Sequence, residues 1–391
     1  MEGRKRKAST DHSIDVTGPG VKRRTSYPVI QSPSDTAHLY GLTAQGVTCG
    51  MIPTNSQVPV NAQSAESQYR SAIYPSRSCF SNDTYTVGWI CTTSTAYVAA
   101  QEFLDEEHGR PQFVRVHDTT DYALGRIQDH NVVMALISDP QDGSSSAATV
   151  ARDMLHSFPN VNIGMMIGIA GGFPSQNNDI RLGDVVVSAA RDGNGGVLQL
   201  DFGKRMQNKG LHMTGFLNQP PTFLRNAVSG FRADIERKGH RFEQIINGIL
   251  ECNPRLREKY QRPQSDADKL FKSDVVHGKD CTALCSSDPS LLERRTERAH
   301  ENDNPAIHYG LIGSGNQTIK DAILRDMFSA SRNVLCIETN AAGLMNHFPC
   351  LAVCGVCNYA DTHSNEQWEG YAAMVAAAYA KSLLYRISPR K

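Results

Sequence analysis

The chain has 391 residues, with 40 Lys plus Arg against 40 Asp plus Glu, so its formal net charge is zero. This balance argues against a basic nucleic-acid scaffold or a polybasic membrane-surface protein, and we expect neither partner. No apolar run approaches the about 20 residues of a membrane-spanning helix. The N-terminus lacks a secretory apolar core, and ten cysteines show no framework spacing. We therefore expect reduced thiols, a cytoplasmic or nuclear location, and no metal or cofactor.

The first part of the chain is polar. Residues 1–83 are rich in Ser, Thr, Pro, Gly, Asn and Gln, which predicts a disordered tail that cannot bury enough apolar surface to fold. Two basic clusters, 4–7 and 22–24, lie within it. They fit a nuclear-import signal or a plain solvated basic tail, and the residues leave both interpretations open.

Residues 84–387 have the composition of a folded domain. Short apolar runs predict strands at 85–91, 112–117, 121–127, 131–138, 161–169, 184–189, 197–201, 307–312 and 351–357. Helical patterns follow at about 95–107, from about 147 and over 368–385. Strands alternating with helices predict an α/β fold, here one domain with a central mixed sheet flanked by helices. The stretch of about 204–303 differs, because it is helical in pattern up to residue 260 and then strongly polar. We interpret it as an insertion, partly helical and partly loop.

Two segments rich in small residues suit ligand contact. Gly171 and Gly172 follow a buried strand, where missing Cβ atoms let backbone N–H groups approach a ligand. Gly143, Ser144 and Ser145 open a helix, whose free N–H groups and hydroxyls suit a phosphate. A plain N-capped helix is the equal alternative for the second segment.

Two further segments carry a family resemblance. Residues 336–343, Cys-Ile-Glu-Thr-Asn-Ala-Ala-Gly, and the strand with its end at 351–361 resemble the ribose-binding and catalytic segments of the nucleoside phosphorylase/nucleosidase superfamily. The runs 85–91, 167–172 and 179–186 add to the match, in the pattern of that superfamily's fungal branch. The resemblance covers 84–387 and implies a purine and uridine phosphorylase-like fold. It also implies a nucleoside-like ligand and a homo-oligomer whose subunits complete each other's pockets.

The acids of that family are replaced here. The resemblance implies that the acid protonating the departing base stands at Asn358, the ribose carboxylate at Asn340, and the water-orienting Glu at Ala96. An amide cannot deliver a proton, and general acid catalysis contributes about 10²–10⁴ in rate. Glu338 matches the first acid of the motif. Asp361 is either a substitute acid or a helix-start cap.

The resemblance also implies a substrate-binding set at the strand ends: Thr92, Thr93, Ser94, Ala170, Gly171, Gly172, Phe173, Thr339 and Tyr359. No arginine matches the phosphate-binding arginines of the phosphorylases, which favours a hydrolase-like lineage. Four functions remain open. The first is a nucleoside binder with lost or weak N-glycosidic cleavage, and the second is a repurposed enzyme acting on a non-nucleoside substrate, for example in a biosynthetic pathway. The third is an active purine nucleosidase using substitute residues, and the fourth is a structural or signalling module.

Overall fold

The computed structural model describes residues 78–137, 143–207, 211–278, 288–298, 305–363 and 366–389. The predicted tail up to residue 77, with both basic clusters, lies outside these residues. At its predicted end, Asn82 is buried and donates through Nδ2 to the carbonyl oxygens of Phe113 at 2.9 Å and Ser157 at 2.8 Å. Residues 82–84 are thereby tied to the domain.

The described chain alternates strands with helices. The strands are β1 (Val87–Cys91), β2 (Glu106–Glu107), β3 (Tyr122–Ile127), β4 (His130–Leu136), β5 (Ile163–Gly172), β6 (Val185–Ser188), β7 (Val197–Gln199), β8 (Gly203–Arg205), β9 (Leu211–Met213), β10 (Ile307–Ser314), β11 (Val334–Glu338) and β12 (Leu351–Asn358). The helices are α1 (Ser94–Glu102), α2 (Gly143–Ser157), α3 (Thr222–Lys238), α4 (Phe242–Cys252), α5 (Arg257–Tyr260), α6 (Ala322–Arg332), α7 (Ala341–Met345) and α8 (Glu369–Leu384).

One mixed sheet organises the domain, in the order β11-β10-β6-β12-β5-β1-β4-β3-β2, and β7 pairs with β10. β1, β4, β5 and β12 are parallel neighbours, whereas β12 and β6 are antiparallel. The end of β5 also pairs antiparallel with β11, which closes β5, β12, β6, β10 and β11 into a barrel. The predicted α/β fold with a central mixed sheet is confirmed. The closure of five strands into a barrel is a feature that the sequence did not predict.

Burial explains why these runs form central strands. β1 is apolar and buried throughout, and β12 is apolar and buried up to its last residue, Asn358, as expected of strands covered on both faces. The alanine-rich α8 packs on β12 and α1, and on α3, α4 and α5 from the segment predicted as an insertion. None of the described helices is both long and apolar enough to cross a membrane.

The predicted strand over 112–117 is wrong. These residues form no strand, and Phe113, Val114 and Val116 are exposed, the last at 94%. β3 pairs instead with the short β2 at the sheet edge. The short apolar run therefore predicted a buried strand that this segment does not form.

Close packing of α8 on β12 gives a first testable prediction. A Cβ added at Gly355 would lie 1.9 Å from the carbonyl oxygen of Ala372, a backbone atom that cannot rotate away. We expect Gly355→Ala to lower the free energy of unfolding by roughly 1–3 kcal/mol, measured by denaturant titration, because it overpacks this contact. The matched control is Gly248→Ala in α4, where a Cβ meets nothing within 4 Å. It should be neutral or stabilising by about 0.5–1 kcal/mol, and equal effects of the two changes would contradict the prediction.

Candidate functional site

The carboxyl ends of the central strands bring the predicted site segments together. A Cβ on Gly168 would lie 2.6 Å from Oγ1 of Thr92, and one on Gly171 would lie 2.8 Å from Oδ1 of Asn358. Ile337 of β11 lies opposite Gly171 in the antiparallel pair. The segments after β1, β5, β11 and β12 therefore converge at one end of the sheet.

The segment after β1 offers hydroxyls but no acid. Thr92 is buried, and its N–H donates to the carbonyl oxygen of Ile167 at 3.1 Å. Thr93 caps α1, because its Oγ1 accepts from the N–H of Ala96 at 3.1 Å. Ser94 is exposed, whereas Ala96 is completely buried. The position implied for the water-orienting acid thus carries only an enclosed methyl group.

Glu338 anchors the turn after β11. Its carboxylate accepts from the N–H of Asn340 at 2.6 Å and from the N–H of Ala341 at 3.0 Å. Burial raises the pKa of Glu338, and hydrogen bonds from the Ser314 hydroxyl and these two N–H groups offset only part of that rise. Its side chain therefore caps α7.

Asn340 follows in the same turn and is 3% exposed. Its Nδ2 donates to Oγ1 of Thr339 at 3.1 Å. Its Oδ1 is buried and accepts no hydrogen bond from any residue that the structure describes. Buried polar atoms are normally paired, so this oxygen marks a place where a ligand or water donor belongs.

The end of β12 holds its polar groups in local turns. Asn358 Oδ1 accepts from the N–H of Ala360 at 2.9 Å, and its Nδ2 lies 3.3 Å from the sulfur of Cys357. Asp361 Oδ1 accepts from the N–H of His363 at 2.9 Å, and its other oxygen lies 3.7 Å from Nδ1 of that ring. Asp361 is buried and caps this local turn, which ends before α8 begins at Glu369, so its two predicted roles both stay open.

The Tyr359 hydroxyl contacts Asp268 and Arg295. It donates to Asp268 and accepts from Nη1 of Arg295 at 2.8 Å, and Arg295 in turn binds Asp268 at 2.9 Å. Burial raises the pKa of Tyr359, and the Asp268 carboxylate raises it further, so the phenol stays protonated. Its ring hydroxyl is engaged in this network, which sequence reasoning did not find.

The segment predicted for phosphate lies beside Thr339, since a Cβ on Gly143 would lie 3.5 Å from the Thr339 carbonyl oxygen. Ser144 donates through its N–H at 3.1 Å and its hydroxyl at 2.8 Å to Oδ1 of Asn316. Asn316 is held by Asp201, which accepts from its N–H at 2.7 Å and its Nδ2 at 2.9 Å. The Asn316 side-chain oxygen therefore already accepts from the N–H and the hydroxyl of Ser144 at this helix start. Ser145 is exposed.

The end of β5 is apolar and closely packed. Phe173 is completely buried in a cluster with Leu198, Ile337 and Ala360. Ala170, Gly171 and Gly172 are buried too, and a Cβ on Gly172 would lie 2.7 Å from Cγ1 of Val356. Among the residues that the structure describes, no group of three or more His, Cys, Asp or Glu side chains is placed to bind a metal.

A buried ion pair beside this end of the sheet was also missed from sequence. Asp184 is 1% exposed and binds Arg298 through two bonds of 2.7 Å, and Nε2 of His308 lies 2.9 Å from the same carboxylate. The N–H groups of Arg181 and Ala306 donate to it as well. An Asp directly before the apolar run 185–187 was the available signal, but its partner lies in the polar segment predicted as loop.

The sequence model of the phosphorylase superfamily matches residues 86–385, and the chain therefore belongs to that superfamily. The family predicted from the motifs is thus confirmed. A nucleotide-binding leucine-rich repeat (NLR)-like protein from Hyaloscypha variabilis is 40% identical over 306 residues. That match covers 78% of this chain and 30% of the relative, so the chain spans about a third of the relative's length.

Solved structures show similarity at low identity. A 5′-methylthioadenosine/S-adenosylhomocysteine nucleosidase from Neisseria meningitidis is 14% identical, with a TM-score of 0.49, over 77% of this chain and 99% of that one. The Helicobacter pylori 5′-methylthioadenosine/S-adenosyl homocysteine nucleosidase is 12% identical, with a TM-score of 0.47, over 78% and 99%. Futalosine hydrolase of Helicobacter pylori is 11% identical, with a TM-score of 0.46, over 78% and 99%.

Proposed function

We propose that the chain binds a nucleoside or related small molecule at the strand-end site and that its N-glycosidic cleavage is lost or weak. One observation carries the proposal: the positions implied for the three family acids hold a methyl group and two carboxamides, at Ala96, Asn340 and Asn358. Glu338, the remaining acid, uses its carboxylate to cap α7.

Binding survives such a change better than cleavage does. Departure of a purine needs a proton, which the Asn358 amide cannot deliver. A carboxamide still donates and accepts hydrogen bonds, and the buried Oδ1 of Asn340 lacks a donor among the described residues. A sugar hydroxyl is a donor of the right chemistry for that oxygen.

The helix start at Ser144 supports a hydrolase-like lineage over a phosphorylase-like one. Its N–H and hydroxyl both donate to Oδ1 of Asn316, so a phosphate would have to displace an amide oxygen that Asp201 holds in place. As parts of the same proposal, we expect a homo-oligomer in the cytoplasm or nucleus. Sedimentation velocity at micromolar concentration tests the oligomer, and a monomer would contradict it.

Calorimetric titration with adenosine, inosine and guanosine, beside a turnover assay, tests the proposed function. We expect saturable binding of at least one nucleoside and turnover well below about 1 s⁻¹, the lower end of ordinary enzyme rates. Asn340→Ala should weaken that binding about fivefold, as loss of one hydrogen bond predicts. The matched control is Asn160→Ala, an exposed Asn near the amino end of β5, which should leave binding unchanged.

Two results would contradict the proposal. Turnover at about 1 s⁻¹ or faster would show that substitute groups perform the chemistry. If none of the three nucleosides binds, the alternative of a repurposed enzyme acting on a non-nucleoside substrate would be favoured.

A further inference from the structure

A cavity of about 470 Å³ lies apart from the predicted site residues, none of which lines it. Its walls come from the loop after β5, from residues 270–273 and 293–295, and from one face of α6. Its volume falls in the range of small-molecule sites, about 300–1,000 Å³. The cavity thus has the size of a ligand site, and its lining decides which ligand would fit.

The inner wall holds a buried arginine with spare donors. Arg325 is 3% exposed, and its guanidinium donates to Asp326 at 2.7 Å, to the Tyr359 carbonyl oxygen at 3.1 Å and to Oγ of Ser273 at 3.2 Å. A guanidinium carries five N–H donors, so two have no partner among the described residues. Ser329, which is also buried, adds a hydroxyl to the same lining.

The rim carries a second cation. Arg294 is exposed and makes no ion pair or hydrogen bond within the described part of the chain, unlike its neighbour Arg295. The acids of the lining differ in availability. Asp179 is paired with Arg181 at 2.8 Å, and Asp326 already accepts from Arg325, whereas Glu293 is exposed at the rim. The Ser273 hydroxyl already donates to Asp326, so the spare donors of the lining belong to Arg325, Arg294 and Ser329. Glu293 opposes them as an acid without an ion pair among the described residues, whereas Asp179 and Asp326 are paired.

We propose that this cavity binds a small anionic molecule, whose carboxylate or phosphate group is held by Arg325 and Arg294 and by the hydroxyl of Ser329. Arginine suits such groups because its planar fork donates two parallel bonds to one anion. The proposal does not rest on the proposed nucleoside site. The two sites are neighbours, because Arg325 donates to the carbonyl oxygen of Tyr359, directly after Asn358.

Calorimetric titration of the full chain with inorganic phosphate and with citrate, at low ionic strength, tests the proposal. We expect saturable binding of at least one probe, and the preferred probe identifies the group as phosphate or carboxylate. Arg294→Gln should weaken binding about tenfold, because it removes a charge-assisted bond. Glu293→Gln should strengthen it about twofold, because it removes an opposing surface charge. Arg332→Gln, at the exposed end of α6, is the control and should change nothing.

A cavity-filling change decides whether the cavity itself is the site. Ala330 is exposed and lines the cavity, so Ala330→Trp should fold normally and abolish binding of both probes. Thermal unfolding checks the fold of each variant, and nucleoside binding should be unchanged in all of them. Failure of both probes to bind at millimolar concentration, or full binding by folded Ala330→Trp, would overturn the proposal.

Discussion

Arg298→Met is expected to lower the free energy of unfolding by roughly 3–5 kcal/mol, because it leaves the buried Asp184 carboxylate without its main cation. Asp184 is 1% exposed and the Arg298 side chain 16%, and two bonds of 2.7 Å join them. His308 and two backbone N–H groups remain, yet their hydrogen bonds do not replace a full positive charge. Denaturant titration followed by circular dichroism measures the loss.

An exposed pair provides the matched control. Arg110 and Asp121 are 2.6 Å apart, but their side chains are 76% and 62% exposed. Arg110→Met should therefore cost less than about 1 kcal/mol, as surface ion pairs do. If both substitutions cost the same small amount, Arg298 would not be the group that stabilises Asp184.

The same ion pair predicts how stability depends on pH. Burial raises the pKa of Asp184, but the hydrogen bonds from Arg298 and His308 and the charge of Arg298 outweigh it and hold the pKa below its usual value. A carboxyl whose pKa is lowered on folding stabilises the folded state above its unfolded pKa, near about 4. That contribution is lost as the pH falls further. The stability difference between the wild type and Asp184→Asn should thus be constant from neutral pH down to about 5 and shrink below about 4.

The parts of the fold that sequence predicted are those set by local pattern. Continuous apolar runs at β1, β5 and β12 identified central strands, because strands buried on both faces need few polar residues. The closure between β5 and β11 could not be predicted in this way, since it depends on pairing between strands far apart in the chain. The strand predicted over 112–117 is wrong because its apolar side chains stay exposed, so a short apolar run alone did not identify a buried strand.

For the site, sequence predicted which segments converge, and the structure supplied the hydrogen-bond partners. Thr93 caps α1, Asp361 caps a local turn and Glu338 caps α7, and these roles depend on backbone geometry. Asn316, which binds Ser144 at the start of α2, comes from a segment far away along the chain, and so does Arg295, which binds Tyr359. Contacts of this kind need the folded chain, because no spacing along the sequence encodes them.

The triple change Ala96→Glu, Asn340→Glu and Asn358→Asp is expected to raise nucleosidase activity above the parent protein. Restored acid catalysis alone contributes about 10²–10⁴ in rate. We expect the lower part of that range, because the groups around the acids have not been selected to support them. Release of free base from adenosine, inosine and guanosine, followed by chromatography, measures the gain.

Asn358→Asp alone should do little. The new carboxylate would keep the bond from the N–H of Ala360, which favours its charged form and opposes proton donation. Groups that act as a unit are also far from additive, so one restored acid lacks its partners. A purified single variant as active as the triple would contradict this reasoning.

The control for the triple variant has the same size and no added acid. The control is the double variant Ala96→Gln and Asn340→Gln, which keeps the native Asn358 and fills the same space with carboxamides. If the triple variant gains activity and this control does not, the gain comes from the carboxylates. Ala96 is completely buried, so circular dichroism and thermal unfolding must show that each variant folds. A folded triple variant without gain on any purine nucleoside would mean that the pocket has been remodelled. In that case the repurposed enzyme acting on a non-nucleoside substrate would replace the nucleoside binder as the better account of this chain.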